Sequence, residues 1–204
     1  MPTRHESADF VLRTYDLADV AAVWLAIEES RDTLWPWMPW ARAENTSLAT
    51  TAFTLEKFRR ELGRPAFDAG TLNLVVGVFD RASGRLVGGT GAHSFRAHAH
   101  QAEIGYWVRT SERGRGVCTR AARAMVSWLF GAPGNGGWGL RRAEIVCAGG
   151  NHASAAVARK IGATLEGHTR ADRWIPGFGW DDTLRFGILR DAWMSPPPDG
   201  RAPA

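Results

Sequence analysis

The stretch Glu103-Ile-Gly-Tyr-Trp-Val-Arg109, continuing Thr-Ser-Glu-Arg113-Gly-Arg-Gly116-Val-Cys118-Thr-Arg120 and then Ala-Ala-Arg-Ala-Met-Val-Ser-Trp-Leu-Phe130, joins an apolar strand to an amphipathic helix through one short turn of glycine and arginine. Such a turn gathers successive backbone N–H groups and a helix N-terminus around one point, where unpaired donors and the helix dipole favour an anionic phosphate. Gly114 and Gly116 let backbone approach phosphate with no Cβ in the way, and the Thr119 hydroxyl adds a donor. Alone, this cradle does not distinguish a nucleotide from any other polyanion.

Working outward, the pattern alternates strands and helices. Phe10 to Thr14 reads as a strand, and Asp16 as the N-cap of a helix reaching about Glu29. Leu34-Trp-Pro-Trp-Met-Pro-Trp40 reads as a proline-stiffened loop whose Trp35, Trp37 and Trp40 form either a core plug or one wall of a substrate pocket. A helix follows from Ser47 or Thr51 to about Leu62. Leu72 to Asp80, Leu86 to Phe95 and Ala99 to Arg109 read as a three-strand meander, with Arg81 to Arg85 as its first turn. The cradle helix starts at Gly116. A strand over Arg142 to Cys147, a helix over Ala153 to Ile161, and strands near Thr164 to Trp174 and Thr183 to Leu189 complete a mixed sheet in an α/β arrangement. Residues 1–8 are expected to be disordered, 9–194 to form a single domain, and the proline-rich 195–204 to be a disordered tail.

Composition narrows the function classes. The chain has 204 residues, 45% of them hydrophobic and 23% charged, as in ordinary globular domains. Charged residues interrupt the N-terminal stretch, and no apolar window is long enough to span a membrane, so a cytoplasmic location is expected. Two cysteines suit a reducing compartment. A formal charge of +4 is mild for a nucleic-acid binder. The arginines Arg109, Arg113, Arg115, Arg120 and Arg123 crowd the cradle, as around a polyanionic small molecule, and few aromatic residues interleave with them. Three features lack supporting context. Cys118, at a helix N-terminus where a thiol pKa is lowered, has no histidine tied to it by motif. His98-Ala-His100 has metal-like spacing without companion ligands, so no metal is expected. Gly134 to Gly137 follows a helix and precedes a strand, the reverse of a nucleotide fingerprint.

Arg113-Gly-Arg-Gly116-Val-Cys118 resembles the pyrophosphate signature of the GNAT superfamily of acyl-coenzyme A N-acyltransferases, with Cys118 in place of a small residue. Asn151-His-Ala-Ser154, then Lys160-Ile-Gly162 and Glu166-Gly167, resemble the string of the RimJ and RimL ribosomal-protein N-terminal acetyltransferases, as does the Leu34 to Trp40 loop. The resemblance implies a GNAT fold: a mostly antiparallel sheet of six to seven strands, splayed at the acyl-coenzyme A site and flanked by about four helices. It implies that acetyl-coenzyme A or another acyl-coenzyme A is the co-substrate, held by Trp107, Val108, Arg109, the turn from Arg113 to Val117, Cys118, Thr119, Asn151 and Ser154. Backbone N–H near Trp107 or Val108 then polarises the thioester carbonyl, Asn151 meets the pantetheine arm and Ser154 protonates the departing thiolate. Helix capping is the competing role for Asn151 and Ser154.

The catalytic base is less clearly marked. Glu103 is the first choice, against a reading as an ordinary strand carboxylate. A glutamate of RimL-like relatives falls here on Arg173, with Asp172 alongside as a substitute, and Asp181 and Asp182 are further candidates for meeting a cationic acceptor. The expected reaction is direct acyl transfer to a primary amine of a protein N-terminus or a small molecule. Three alternatives stay open: an acyl-coenzyme A-binding module without catalysis, a succinyl-type transferase using Arg173, and a nucleic-acid binder using the arginine cluster. An exposed strand edge or the tryptophan loop offers a homodimer contact.

Overall fold

A computed structural model describes residues 2–62 and 73–194. One eight-stranded sheet runs through it in the order β1-β2-β3-β4-β5-β6-β8-β7. The strands are β1 (Arg4–Glu6), β2 (Phe10–Thr14), β3 (Leu74–Asp80), β4 (Leu86–Arg96), β5 (Gln101–Val108), β6 (Arg142–Ala148), β7 (Thr164–Ile175) and β8 (Gly179–Leu189). Every neighbouring pair is antiparallel except β5 and β6, which run parallel.

The helices are α1 (Val20–Leu34), α2 (Pro39–Ala43), α3 (Leu48–Leu62), α4 (Val117–Phe130), α5 (His152–Lys160) and α6 (Arg190–Met194). Helix α4 carries Ala121, Met125, Trp128 and Leu129 on one stripe, all buried against Leu12, Val76 and Ile104 of the sheet. On the opposite face, Val23 and Ile27 of α1 and Leu55 of α3 close over Phe79 and Leu86. The central strands are thus buried on both sides and read as apolar runs. Truncating Leu129, which is fully buried, to alanine costs ~2–5 kcal/mol.

The differences from the sequence expectations are local. Residues 4–6, expected to be disordered, form the edge strand β1, and the His5 ring stacks on Trp128 at 5.6 Å. Three residues are too few to show a period, and with β1 the sheet has eight strands where six or seven were expected. Asp16 caps a 3-10 turn over Leu17–Asp19, and α1 then runs past Glu29 to Leu34. In the tryptophan loop, Pro39 starts α2 instead of merely ending a helix, since proline lacks only an N–H that the first turn leaves unpaired anyway. With the equally short α6, this gives six helices among the described residues. The start expected at Leu72 and the tail at 195–204 lie outside the described residues.

Candidate active site

Strands β5 and β6 pair only over Gln101↔Arg142, Ala102↔Ala143 and Glu103↔Glu144. Both strands then continue, β5 held by β4 and β6 held by β8, so their facing backbones diverge and lose each other as partners. The Arg109 N–H donates to the Val87 carbonyl at 3.0 Å. Strand alternation therefore turns the Trp107 N–H toward β4 and the Val108 N–H into the opening. Of the two N–H groups the sequence could not separate, Val108 faces the splay.

The turn beyond β5 is built as an anion cradle. Gly114 and Gly116 have φ of +75° and +70°, a region only glycine enters without strain. Among the described residues no acceptor meets the N–H groups from Gly114 to Thr119. They converge at the N-terminus of α4, at one end of a groove of about 340 Å³. Its walls include Arg113, Gly114, Gly116, Val117, Cys118 and Thr119 from the turn, Asn151, Ser154 and Lys160 from α5, and Trp107 and Val108 from β5.

Most of the arginines are committed elsewhere. Arg109 is paired with Glu29 of α1 and is largely buried. Partial burial alone would raise the Glu29 pKa, yet hydrogen bonds from Arg109 and from the backbone and hydroxyl of Ser111 hold it down at about 2. Arg115 pairs with the buried Glu112 at 2.7 Å, Arg120 with Asp9 at 3.0 Å, and Arg123 donates to the Lys160 carbonyl. Arg109 and Arg115, expected as cofactor ligands, thus brace the turn against α1 and Glu112, and neither lines the groove. Arg113 does line it, and Lys160, quoted in the motif without a role, joins it.

Asn151 caps α5 by accepting the Ser154 N–H at 3.1 Å. The capping role and a place on the groove wall therefore coexist. The Ser154 hydroxyl donates to the Tyr106 oxygen at 3.3 Å, and the Tyr106 hydroxyl donates to the Ser154 carbonyl at 3.0 Å. Tyr106 was not singled out by sequence. Its signal is the alternation Ile104, Tyr106, Val108, which puts a polar tip at a core-facing position where it needs a partner. Burial raises its phenol pKa strongly. Cys118 corrects another expectation, because burial pushes its thiol up to about 12, where little thiolate exists at neutral pH.

A second cavity of about 370 Å³ lies between the sheet and helices α1 to α3 and shares Met38, Tyr106 and Trp107 with the groove. Its floor is bare backbone where Gly91 and Gly105 face each other across β4 and β5. Its walls are Tyr15, Ile27, Trp40, Phe58 and Trp107, with Glu44, Lys57 and His93 as ionisable members. The three tryptophans of the loop divide: Trp40 packs on Trp107 at 5.8 Å in this cavity, and Trp37 lines the groove beside Phe178. Trp35 is partly exposed and lines neither.

The proposed base Glu103 sits at the last paired position of the splay. Desolvation raises its carboxyl pKa, opposed by His93, Arg185 and Arg173. Asp172 is exposed and lines neither cavity, while Arg173 donates to the Thr183 hydroxyl at 2.9 Å. Asp181 accepts the Gly150 N–H at 3.0 Å, and Asp182 bonds His168 and the Ala171 N–H. Asp181 thus ties β8 to the β6–α5 connection and Asp182 ties β8 to β7, and neither lines the groove or the second cavity.

A mixed sheet opening beside a turn of unpaired N–H donors is one architecture on which coenzyme A-dependent acyl transfer is built. The chain belongs to the acetyltransferase (GNAT) domain family, whose model matches residues 9–164. It is 31% identical over 110 residues to a putative ribosomal N-acetyltransferase, YdaF, of Bacillus subtilis (strain 168). That match covers 54% of this chain and 57% of the relative, so the chain spans little more than half of the curated protein it matches. The fold superimposes on RimL, a ribosomal L7/L12 α-N-protein acetyltransferase in complex with coenzyme A, with a TM-score of 0.74 at 23% identity over 91% of this chain and 97% of that one. It also superimposes on a ribosomal-protein-S5-alanine acetyltransferase from Vibrio fischeri, with a TM-score of 0.76 at 20% identity over 95% of this chain and all of the other.

Proposed function

We propose that this protein is an N-acetyltransferase that passes an acetyl group from acetyl-coenzyme A directly to a primary amine. One observation carries the reading: the groove with the anion cradle and the apolar cavity meet at Tyr106 and Trp107, beside the splay. A cofactor and an acceptor held one on each side have their reacting ends brought together there, which favours a ternary complex over a covalent enzyme intermediate.

The cradle N–H groups, Arg113 and Lys160 hold the pyrophosphate end of the cofactor, which supplies the activated acyl group. The Val108 N–H polarises the thioester carbonyl. Ser154, oriented by Asn151 and Tyr106, delivers a proton to the leaving thiolate. The aromatic walls favour an acceptor with an apolar body, and Glu44 draws its ammonium inward. A protein N-terminus with an apolar first residue fits this description, as does an arylalkylamine. Arg173, the motive for a carboxylated acyl donor, lines neither cavity, so acetyl is preferred to succinyl.

The test is thiol release from acetyl-coenzyme A with a panel of N-terminal peptides, arylalkylamines, polyamines and aminoglycosides. Turnover on a peptide or arylalkylamine supports the reading. Tight coenzyme A binding with no turnover on any amine overturns it in favour of a binding module.

A further inference from the structure

We infer that His93, not Glu103, is the catalytic base that takes the proton from the acceptor's ammonium, and that Glu103 is a positioning residue beside it. The inference rests on the acetyl-transfer reading above.

His93 and Glu103 are direct partners in the β4–β5 register, so their side chains stand on the same face of the sheet. That face is the floor of the acceptor cavity. His93 lines the cavity and Glu103 does not, which leaves the imidazole nearer to an incoming amine. The His93 Nδ1 lies 3.0 Å from the Glu103 backbone oxygen. A carbonyl only accepts, so Nδ1 carries the hydrogen in the neutral ring and Nε2 keeps its lone pair. Nε2 is 3.9 Å from the Glu103 carboxylate, too far for a hydrogen bond but close enough to stabilise an imidazolium.

The other ionisable groups do not compete for this role. On the cavity, the Tyr15 phenol is buried with a strongly raised pKa, and Lys57 stands exposed on α3, away from the β4–β5 floor. Glu44 is an exposed carboxylate, suited to attracting the ammonium. On the strands beyond, Glu144, Arg173 and Arg185 act on Glu103 electrostatically.

The proton balance closes without another reactant. Nε2 takes one proton from R–NH3+, and the free amine nitrogen forms a C–N bond at the thioester carbon. The C–S bond breaks, and the leaving thiolate takes the second proton, which the nitrogen gives up, through Ser154. His93, with 44% of its side chain exposed, returns its proton to water.

The experiment has two arms on the full-length protein. In the first, pH profiles of kcat/KM are compared for the parent, His93→Gln and Glu103→Gln, using the best acceptor of the amine panel. The inference expects His93→Gln to lower kcat by about a hundredfold or more at neutral pH, with the KM for acetyl-coenzyme A unchanged and recovery as the pH rises toward the amine's own pKa. Glu103→Gln, lacking the charge that favours the imidazolium, shifts the rising limb to lower pH. A His93→Gln variant that keeps both the limb and a kcat within twofold of the parent overturns the inference while leaving acetyl transfer intact. In the second arm, 15N NMR of the imidazole needs no turnover: an Nδ1–H tautomer whose pKa falls in Glu103→Gln supports the inference, and an Nε2–H tautomer overturns it.

Discussion

Tyr106 and Ser154 exchange two hydrogen bonds where the splay opens, phenol to Ser154 carbonyl at 3.0 Å and serine hydroxyl to phenol oxygen at 3.3 Å. A strand on one side of the opening is thereby tied to the first turn of α5 on the other. The link fixes both the rotamer of the proposed proton donor and the width of the splay.

Removing it in Tyr106→Phe leaves the Ser154 carbonyl without this donor and frees its hydroxyl. The expected cost is about 1 kcal/mol of stability and at least about a tenfold loss of kcat, with the KM for acetyl-coenzyme A nearly unchanged. If the pair acts as a unit, the double variant with Ser154→Ala is less impaired than the sum of the singles by ~0.5 kcal/mol or more. Steady-state kinetics with chemical denaturation of all four proteins measures this.

The brace between α1 and the cradle turn predicts an acid-sensitive contribution to stability. Glu29 has a folded pKa of about 2, below the unfolded value of about 4.3. Its contribution is therefore complete above about pH 5 and is lost as the pH falls from there toward 2. Solvent screening limits it to about 1 kcal/mol, since 28% of the Glu29 side chain stays exposed. Glu29→Gln should lower Tm at pH 7 and flatten the acid limb of Tm against pH. An unchanged limb would show that the pair stores no such energy.

The arginines should separate by role. Arg113 lines the groove, whereas Arg115 is held by Glu112 and does not. Arg113→Ala loses a charge-assisted contact, about 1.5–3 kcal/mol, and should raise the KM for acetyl-coenzyme A about tenfold or more, with the difference shrinking in high salt. Arg115→Ala should change that KM by less than about twofold. Equal effects would mean that the cradle is read only as a diffuse positive field.

What the sequence made legible follows physical range. The strand-turn-helix around Gly116 is a local pattern, and the helix of Ala121, Met125 and Leu129 shows its period without any partner. Asn151 and Ser154 were picked out by their resemblance to a family string, and the capping role that Asn151 also suggested is local enough to read from residue type. The pairing of Arg109 with Glu29 was not legible because the two are distant in sequence and no local pattern relates them. His93 was passed over for a similar reason: opposing it to Glu103 requires the register of β4 and β5, which is interrupted by a bulge between His93 and Arg96. Cys118 shows the limit of reading a thiol from its place at a helix start alone, since burial there raises its pKa.

Gly105 provides the cleanest separation of the acceptor cavity from the cofactor groove. It faces Gly91 on the cavity floor, and a Cβ built on it meets nothing within 4 Å. Its backbone is not in the left-handed region, so a β-branched residue suits the strand there. Gly105→Val should thus fold at least as well as the parent, with a gain of about 0.5 kcal/mol from the less flexible unfolded chain. Its two methyl groups project into the space assigned to the acceptor's apolar body. The expected result is a rise of about tenfold or more in the acceptor KM, with the KM for acetyl-coenzyme A and the Tm preserved. Smaller acceptors should suffer less than bulky ones, because the loss comes from lost volume. If bulky and small amines are affected alike, or if only acetyl-coenzyme A binding weakens, the acceptor does not occupy this cavity.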